Sequence, residues 1–190
     1  MRRDRPIIRR RGRARRGPVG VAAVATAIAL AAPVACGAGD GGPDGPAALA
    51  DRRAEVAERG ASVMPFDLDA TTHVFEPRDD GLVQRVTADD PDDAEQVALV
   101  REHLTDEAER FAAGDFGDPA AIHGPDMPGL AELEAGHVGI DVRYVEIPGG
   151  GRIDYTTDDP DLVAALHAWG EAQVSDHGAH AEHRDGDASS

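Results

Sequence analysis

The side chains able to do chemistry in this chain are few: eight histidines, three methionines and one cysteine. Histidine is the commonest protein metal ligand. His73 falls on an expected strand and His103 flanks the apolar stripe of an expected helix. His123 lies in a loop four residues before Met127, and His167 stands beside Trp169 on the last helix. Histidine with methionine and no spare thiol suits copper in an oxidising compartment, and histidine with carboxylate suits zinc. The candidate ligand set is His73, His103, His123 and Met127. No pair has a diagnostic ligand spacing. His123 and Met127 share an i, i+4 offset, but Gly124 and Pro125 stop any helix between them. Each histidine therefore also reads as a surface or satisfied interior residue. His177, His180 and His183 form a separate run at spacing of three, read either as a weak Cu²⁺ or Zn²⁺ scavenger or as part of a solubilising tail.

Enzymatic chemistry finds little support. The serines are Ser62, Ser175, Ser189 and Ser190, and none sits in a Gly-x-Ser-x-Gly elbow. Gly149-Gly150-Gly151 leads into an expected strand, not a helix, so it reads as a hairpin turn and not a phosphate cradle. Asp89-Asp90-Pro91-Asp92-Asp93 lacks the spaced ligands of a calcium loop and reads as a helix start. No catalytic residue is assigned.

The elements that must position these side chains follow from periodicity and punctuation. Residues 48–59 predict a short helix closed by Gly60, with an apolar face of only Ala, Leu and Val. Residues 72–76 and 82–87 predict strands joined by the Asp79-Asp80-Gly81 turn. Asp90 is expected to cap, and Pro91 to begin, a helix whose stripe is Ala94, Val97, Val100, Leu104, Ala108 and Phe111, ended by Gly114. One turn at 120–123 and a short helix at 128–135 follow. Residues 140–147 and 152–157 predict a second hairpin. Asp159 and Pro160 open the last helix, expected to run to about Asp176, and from Gly178 onward the chain reads as disordered.

Thr87-Ala88-Asp89-Asp90-Pro91-Asp92 matches Thr156-Thr157-Asp158-Asp159-Pro160-Asp161, and the same offset places Phe75 on Tyr144 and Val97 on Leu166 without gaps. Either the capping sequence has converged or the chain repeats a hairpin-helix unit. The expected fold is α+β: two ββα units forming a four-stranded antiparallel sheet with helices on one face.

The segments Met64-Pro65-Phe66-Asp67-Leu68, Thr72-His73-Val74-Phe75, Gly114-Asp115-Phe116, Ile122-His123-Gly124, Met127-Pro128-Gly129-Leu130 and Leu166-His167-Ala168-Trp169 resemble a small bacterial family, frequent in actinobacteria. Its members often carry the automatic label aspartate carbamoyltransferase. The resemblance spans residues 64–178 and brings no functional residues with it. The chain has no Lys, no Ser-Thr-Arg-Thr loop and no His-Pro-x-Gln segment, the residues such a transferase uses on carbamoyl phosphate.

The N-terminus gives the expected location. Residues 1–16 hold nine Arg against one Asp, and residues 19–32 are small and apolar. This is the layout of a secretory signal peptide. Pro33-Val34-Ala35-Cys36-Gly37 then resembles a lipobox, in which the cysteine is lipidated and becomes the mature N-terminus. Pro33 stands where Leu is usual, and an uncleaved anchor or an ordinary secretory cut are the alternatives. A single unmodified thiol would be a liability outside the cytoplasm, whereas acyl chains on Cys36 would anchor the protein. The expected order is a signal peptide (1–35), a lipidated Cys36 with a flexible tether and short helix (36–63), an acidic α+β domain (64–178) and a disordered tail (179–190). From Cys36 onward ten Arg face thirty-five Asp and Glu. That charge repels phosphate backbones, so nucleic acid is excluded as a partner. The expectation is an exported, lipid-anchored protein on the extracytoplasmic face of the cell membrane, binding copper, zinc or a small ligand. The alternatives are a non-catalytic surface interaction module and an enzyme such as the transferase of the family label.

Overall fold

The structure is a computed structural model that describes residues 45–178 and 181–183. Cys36, the apolar run before it, His180 and the end of the tail lie outside the described residues.

Two hairpins form the centre of the sheet. Strands β1 (Thr71–Arg78) and β2 (Gly81–Ala88) pair antiparallel, as do β3 (Asp141–Ile147) and β4 (Gly150–Thr156), and β2 joins the hairpins by pairing antiparallel with β4. A fifth strand, β5 (Ala181–His183), adds parallel to β1, so the order is β3-β4-β2-β1-β5. The fold is α+β with a five-stranded mixed sheet, not a purely antiparallel four-stranded one. The tail sequence is too polar to announce a strand. It pairs because the outer edge of β1 is open and Ala181 reaches the core.

Period-two alternation assigns the faces. His73 and Phe75 on β1, Leu82, Gln84 and Val86 on β2, and Ile153 and Tyr155 on β4 point one way. Helices α2 (Ala94–Ala112) and α5 (Pro160–His177) cover that face with Val100, Leu104, Phe111, Leu166 and Trp169. The fully buried Trp169 ring meets Phe75, Phe111 and Tyr155 edge-on or near it, with centroids 5.7, 6.0 and 5.7 Å away. The opposite face carries ion pairs: Glu76 with Arg78 and Arg85, and Asp154 with Arg143 and Arg152.

The helices begin and end for legible reasons, with some corrections. Asp93, not Asp90, caps α2, accepting from the backbone N–H groups of Glu95 and Gln96. Asp90 is occupied one turn earlier, where it accepts from Asp92 N. The matching Asp159 does cap α5, with Pro160 at the first turn. Helix α1 (Pro46–Val63) runs through Gly60 because that glycine is a point of close approach: a Cβ there would lie 3.0 Å from Leu68 Cδ1. Helix α3 (Gly117–His123) is longer than the single turn expected, and α4 (Leu130–Gly136) begins two residues later than expected. Pro148 and Gly149 alone form the β3–β4 turn, since Gly150 and Gly151 already pair with β2 and β3. No helix among the described residues is long and apolar enough to cross a membrane.

Candidate functional site

A small cavity opens between the sheet, α2, α3 and α5. His73 reaches it from β1 and Gln84 from β2. His103 and Glu107 come from α2, His123 from the last turn of α3, and Gln173 and His177 from α5. Helical geometry explains the two α2 and the two α5 residues, which stand four apart and so share a face. Phe66 fills the near wall, edge-on to His73 at 5.9 Å and to His103 at 5.5 Å. The space is about 30 Å³. That admits an ion or a water or two, and falls well short of the roughly 300 Å³ at which pockets for organic ligands begin.

Three of the four candidate ligands from sequence, His73, His103 and His123, line this one cavity. Met127 does not. Gly124, at φ 94°, turns the chain after α3 and sends Met127 into the core beside an outer groove. Met64 lines the cavity instead, and so does His177. The histidine run read from the sequence as tail includes His177, but α5 extends one residue beyond Asp176 and carries it. The signal was present: Trp169, Gln173 and His177 continue the buried face of α5 at helical spacing. His167 has a structural position, its Nε2 3.0 Å from the carbonyls of Arg78 and Gly81 across the β1–β2 turn. His137 lies outside the cavity, its Nδ1 2.9 Å from Glu134 O.

Two polar networks end at the cavity. In the first, the Tyr155 hydroxyl donates to Gln84 Oε1 at 2.7 Å, and Gln84 Nε2 donates to Glu107 Oε1 at 3.2 Å. His103 Nε2 stands 3.8 Å from Glu107 Oε2. Burial is the main influence on Glu107 and pushes its carboxyl up to about 7, against the pull of Gln84. Burial likewise pushes His103 below the usual imidazole range. In the second network, Arg52 holds Asp176, and Asp176 Oδ2 lies 2.9 Å from His123 Nδ1. Burial lowers His123 and outweighs the opposing pull of Asp176.

The far nitrogen of that imidazole carries the chemical interest. His123 Nε2 is buried and makes no hydrogen bond of good geometry, and the Gln173 side chain acts on the ring only weakly. Among the described residues two other buried nitrogens share this status, Arg152 Nε and Trp169 Nε1. Arg152 Nε lies 2.9 Å from Asp154 Oδ1 in an ion pair, and an indole N–H has no lone pair to offer a cation. His123 Nε2 alone among the three can act as a ligand.

The imidazoles surround the cavity without converging. No group of three His, Cys, Asp or Glu among the described residues is drawn close enough to hold a metal as it stands. The ring centroids are nevertheless close: His123 to His177 is 5.0 Å and His73 to His177 is 5.6 Å. Two imidazoles sharing one tetrahedral ion at the usual metal–nitrogen length have centroids about 5 Å apart.

Compared with family models, curated proteins and solved structures, the chain matches none.

Proposed function

We propose that the protein is an exported, lipid-anchored metal-binding protein that takes one copper or zinc ion into the cavity bounded by His73, His103, His123 and His177. The observation that carries this reading is His123 Nε2, a buried ring nitrogen that makes no hydrogen bond of good geometry, in a cavity sized for an ion. The other imidazoles of the wall supply the remaining nitrogen ligands, and neutral histidine is the form a metal requires. Met64 adds a thioether to the wall, a soft donor that favours copper over zinc. The lipidated Cys36, the membrane as partner and the extracytoplasmic location are supported by the sequence of residues 1–37. The resemblance of residues 64–178 to the actinobacterial family is part of the same reading. So is the division into two ββα units, β1-β2-α2 and β3-β4-α5, whose junctions share the Thr-x-Asp-Asp-Pro-Asp pattern.

A cavity of about 30 Å³ gives no room for carbamoyl phosphate, so this cavity lends no support to the transferase of the family label. Among the described residues the exposed large apolar side chains are Leu49 and Val138, which argues against docking through an apolar patch.

The test is metal retention by the full chain. After incubation with Cu²⁺ or Zn²⁺ and desalting, elemental analysis should find one ion per chain, and the His73→Ala, His123→Ala double variant should lose it. The histidine run of the tail is the same in both proteins, so their difference reports the cavity. Equal retention by the two proteins would sink the reading.

A further inference from the structure

Behind His123 stands a chain of charges that begins on α1. Arg52 donates from Nε to Asp176 Oδ1 and from Nη2 to Asp176 Oδ2, both at 2.6 Å. This is the fork by which a guanidinium fixes a carboxylate in one plane. The same Nη2 donates to the His123 carbonyl at 3.2 Å, and Arg59 Nη1 donates to the Ile122 carbonyl at 3.4 Å. Helix α1 thus grips both the backbone of the last turn of α3 and, through Asp176, the imidazole that turn carries.

Proton positions follow. Both oxygens of Asp176 accept from the Arg52 guanidinium, the pairing of an ionised carboxylate. An ionised carboxylate only accepts, so His123 Nδ1 must donate to it. A neutral imidazole with its proton on Nδ1 keeps its lone pair on Nε2, the atom that makes no hydrogen bond of good geometry. A carboxylate behind a histidine, fixing tautomer and ring plane, is the usual outer support of a metal ligand.

Helix α1 has little else to hold it. Val56 and Gly60 are its buried residues, and Leu49 is exposed. Its long-range polar contacts converge on this corner: Arg52 on Asp176 and His123, Arg53 Nε on the Ser175 carbonyl, and Arg59 on Ile122. Docking of α1 and the setting of His123 are one event.

We propose that Arg52 and Asp176 are positioning residues that present His123 Nε2 to the ion, so that the metal site is complete only when α1 is docked. The inference rests on the metal reading above.

Its test has two readouts on the full chain. Long-range ¹H–¹⁵N correlation of the histidine rings, without metal, should report the Nδ1–H tautomer for His123. In Asp176→Asn, Arg52 takes the single remaining carbonyl oxygen and the amide NH₂ faces His123, so the proton should move to Nε2. Titration with Cu²⁺ and Zn²⁺ should then show affinity about 10- to 100-fold weaker in Asp176→Asn and Arg52→Met. Neither change should weaken binding further in a His123→Ala background, because both act through that ring. If one variant fails to fold, the other carries the comparison. A wild-type chain that binds no metal overturns the metal reading and this inference with it. A wild-type chain that binds while folded variants bind equally well, or an Nε2–H tautomer in the wild type, overturns the positioning role alone.

Discussion

Glu107 offers the clearest quantitative test of how the cavity is built. Its carboxyl is buried on α2, and the hydrogen bond it receives comes from the neutral amide of Gln84. Arg110, the nearest cation to influence it, is engaged with Asp115 and Asp118. Moving the carboxyl from 4.5 to about 7 means that ionising it in the folded protein costs ~3 kcal/mol more than in the unfolded chain. The sign follows from linkage. The folded state holds this proton more tightly, so the contribution to stability is full below the unfolded value of 4.5 and is lost as pH rises through about 7. Glu107→Gln cannot ionise and escapes the loss. It exchanges one neutral hydrogen-bonding group for another, so any penalty against the Gln84 amide is the same at every pH. His103 and His123 work in the opposite direction, but both proteins share them and they cancel in the difference. Urea unfolding of the full chain at pH 5 and pH 8, with chelator present, should be followed by circular dichroism and by the fluorescence of the single tryptophan. The stability of Glu107→Gln relative to wild type should be about 2–3 kcal/mol greater at pH 8 than at pH 5. A difference that does not change with pH would refute the desolvated-acid argument. A difference that favours wild type at pH 8 would show that a cation compensates the carboxylate in the metal-free protein.

Two further outcomes are expected. Trp169→Ala removes a side chain with no solvent exposure that touches three aromatic rings, and should lower stability by ~3–5 kcal/mol in denaturant titrations followed by circular dichroism. Cys36→Ala should abolish both metabolic labelling with a palmitate analogue and recovery of the protein in the membrane fraction, and persistent labelling would remove the lipid anchor from the proposal.

The hairpins, α2 and α5 were legible because their signals are local. Strand alternation, the Asp-Asp-Gly turn and the Val97-Val100-Leu104-Ala108-Phe111 stripe each fit within one element. The fifth strand was not legible, since Ala181-Glu182-His183 has no strand pattern and pairs with a partner more than a hundred residues earlier. The site divides in the same way. His73 and His103 could be selected because each sits beside a readable apolar face. Met127 stands four residues from His123 in sequence, and the positive φ of Gly124 defeats that proximity. Arg52 and Asp176 could not be selected at all: among nineteen Arg and thirty-six acids, only the packing of α1 on α3 and α5 singles them out.

If the protein takes a metal ion as proposed, charge and cavity would divide the work of recognition between them. A body with thirty-five acidic residues against ten Arg from Cys36 onward raises the local concentration of every cation without choosing among them. On the proposed reading the cavity wall would do the choosing. It offers four imidazoles, one thioether and two carboxyl side chains, Glu107 and Asp118, of which Glu107 is pushed up to about 7. Copper and zinc would find nitrogen there, whereas hard cations such as Mg²⁺ and Ca²⁺ require mostly oxygen ligands. The acidic surface therefore governs how fast a cation arrives and should do so less at high salt. On the proposed reading the histidines would govern which cation stays, and salt should leave that selectivity unchanged.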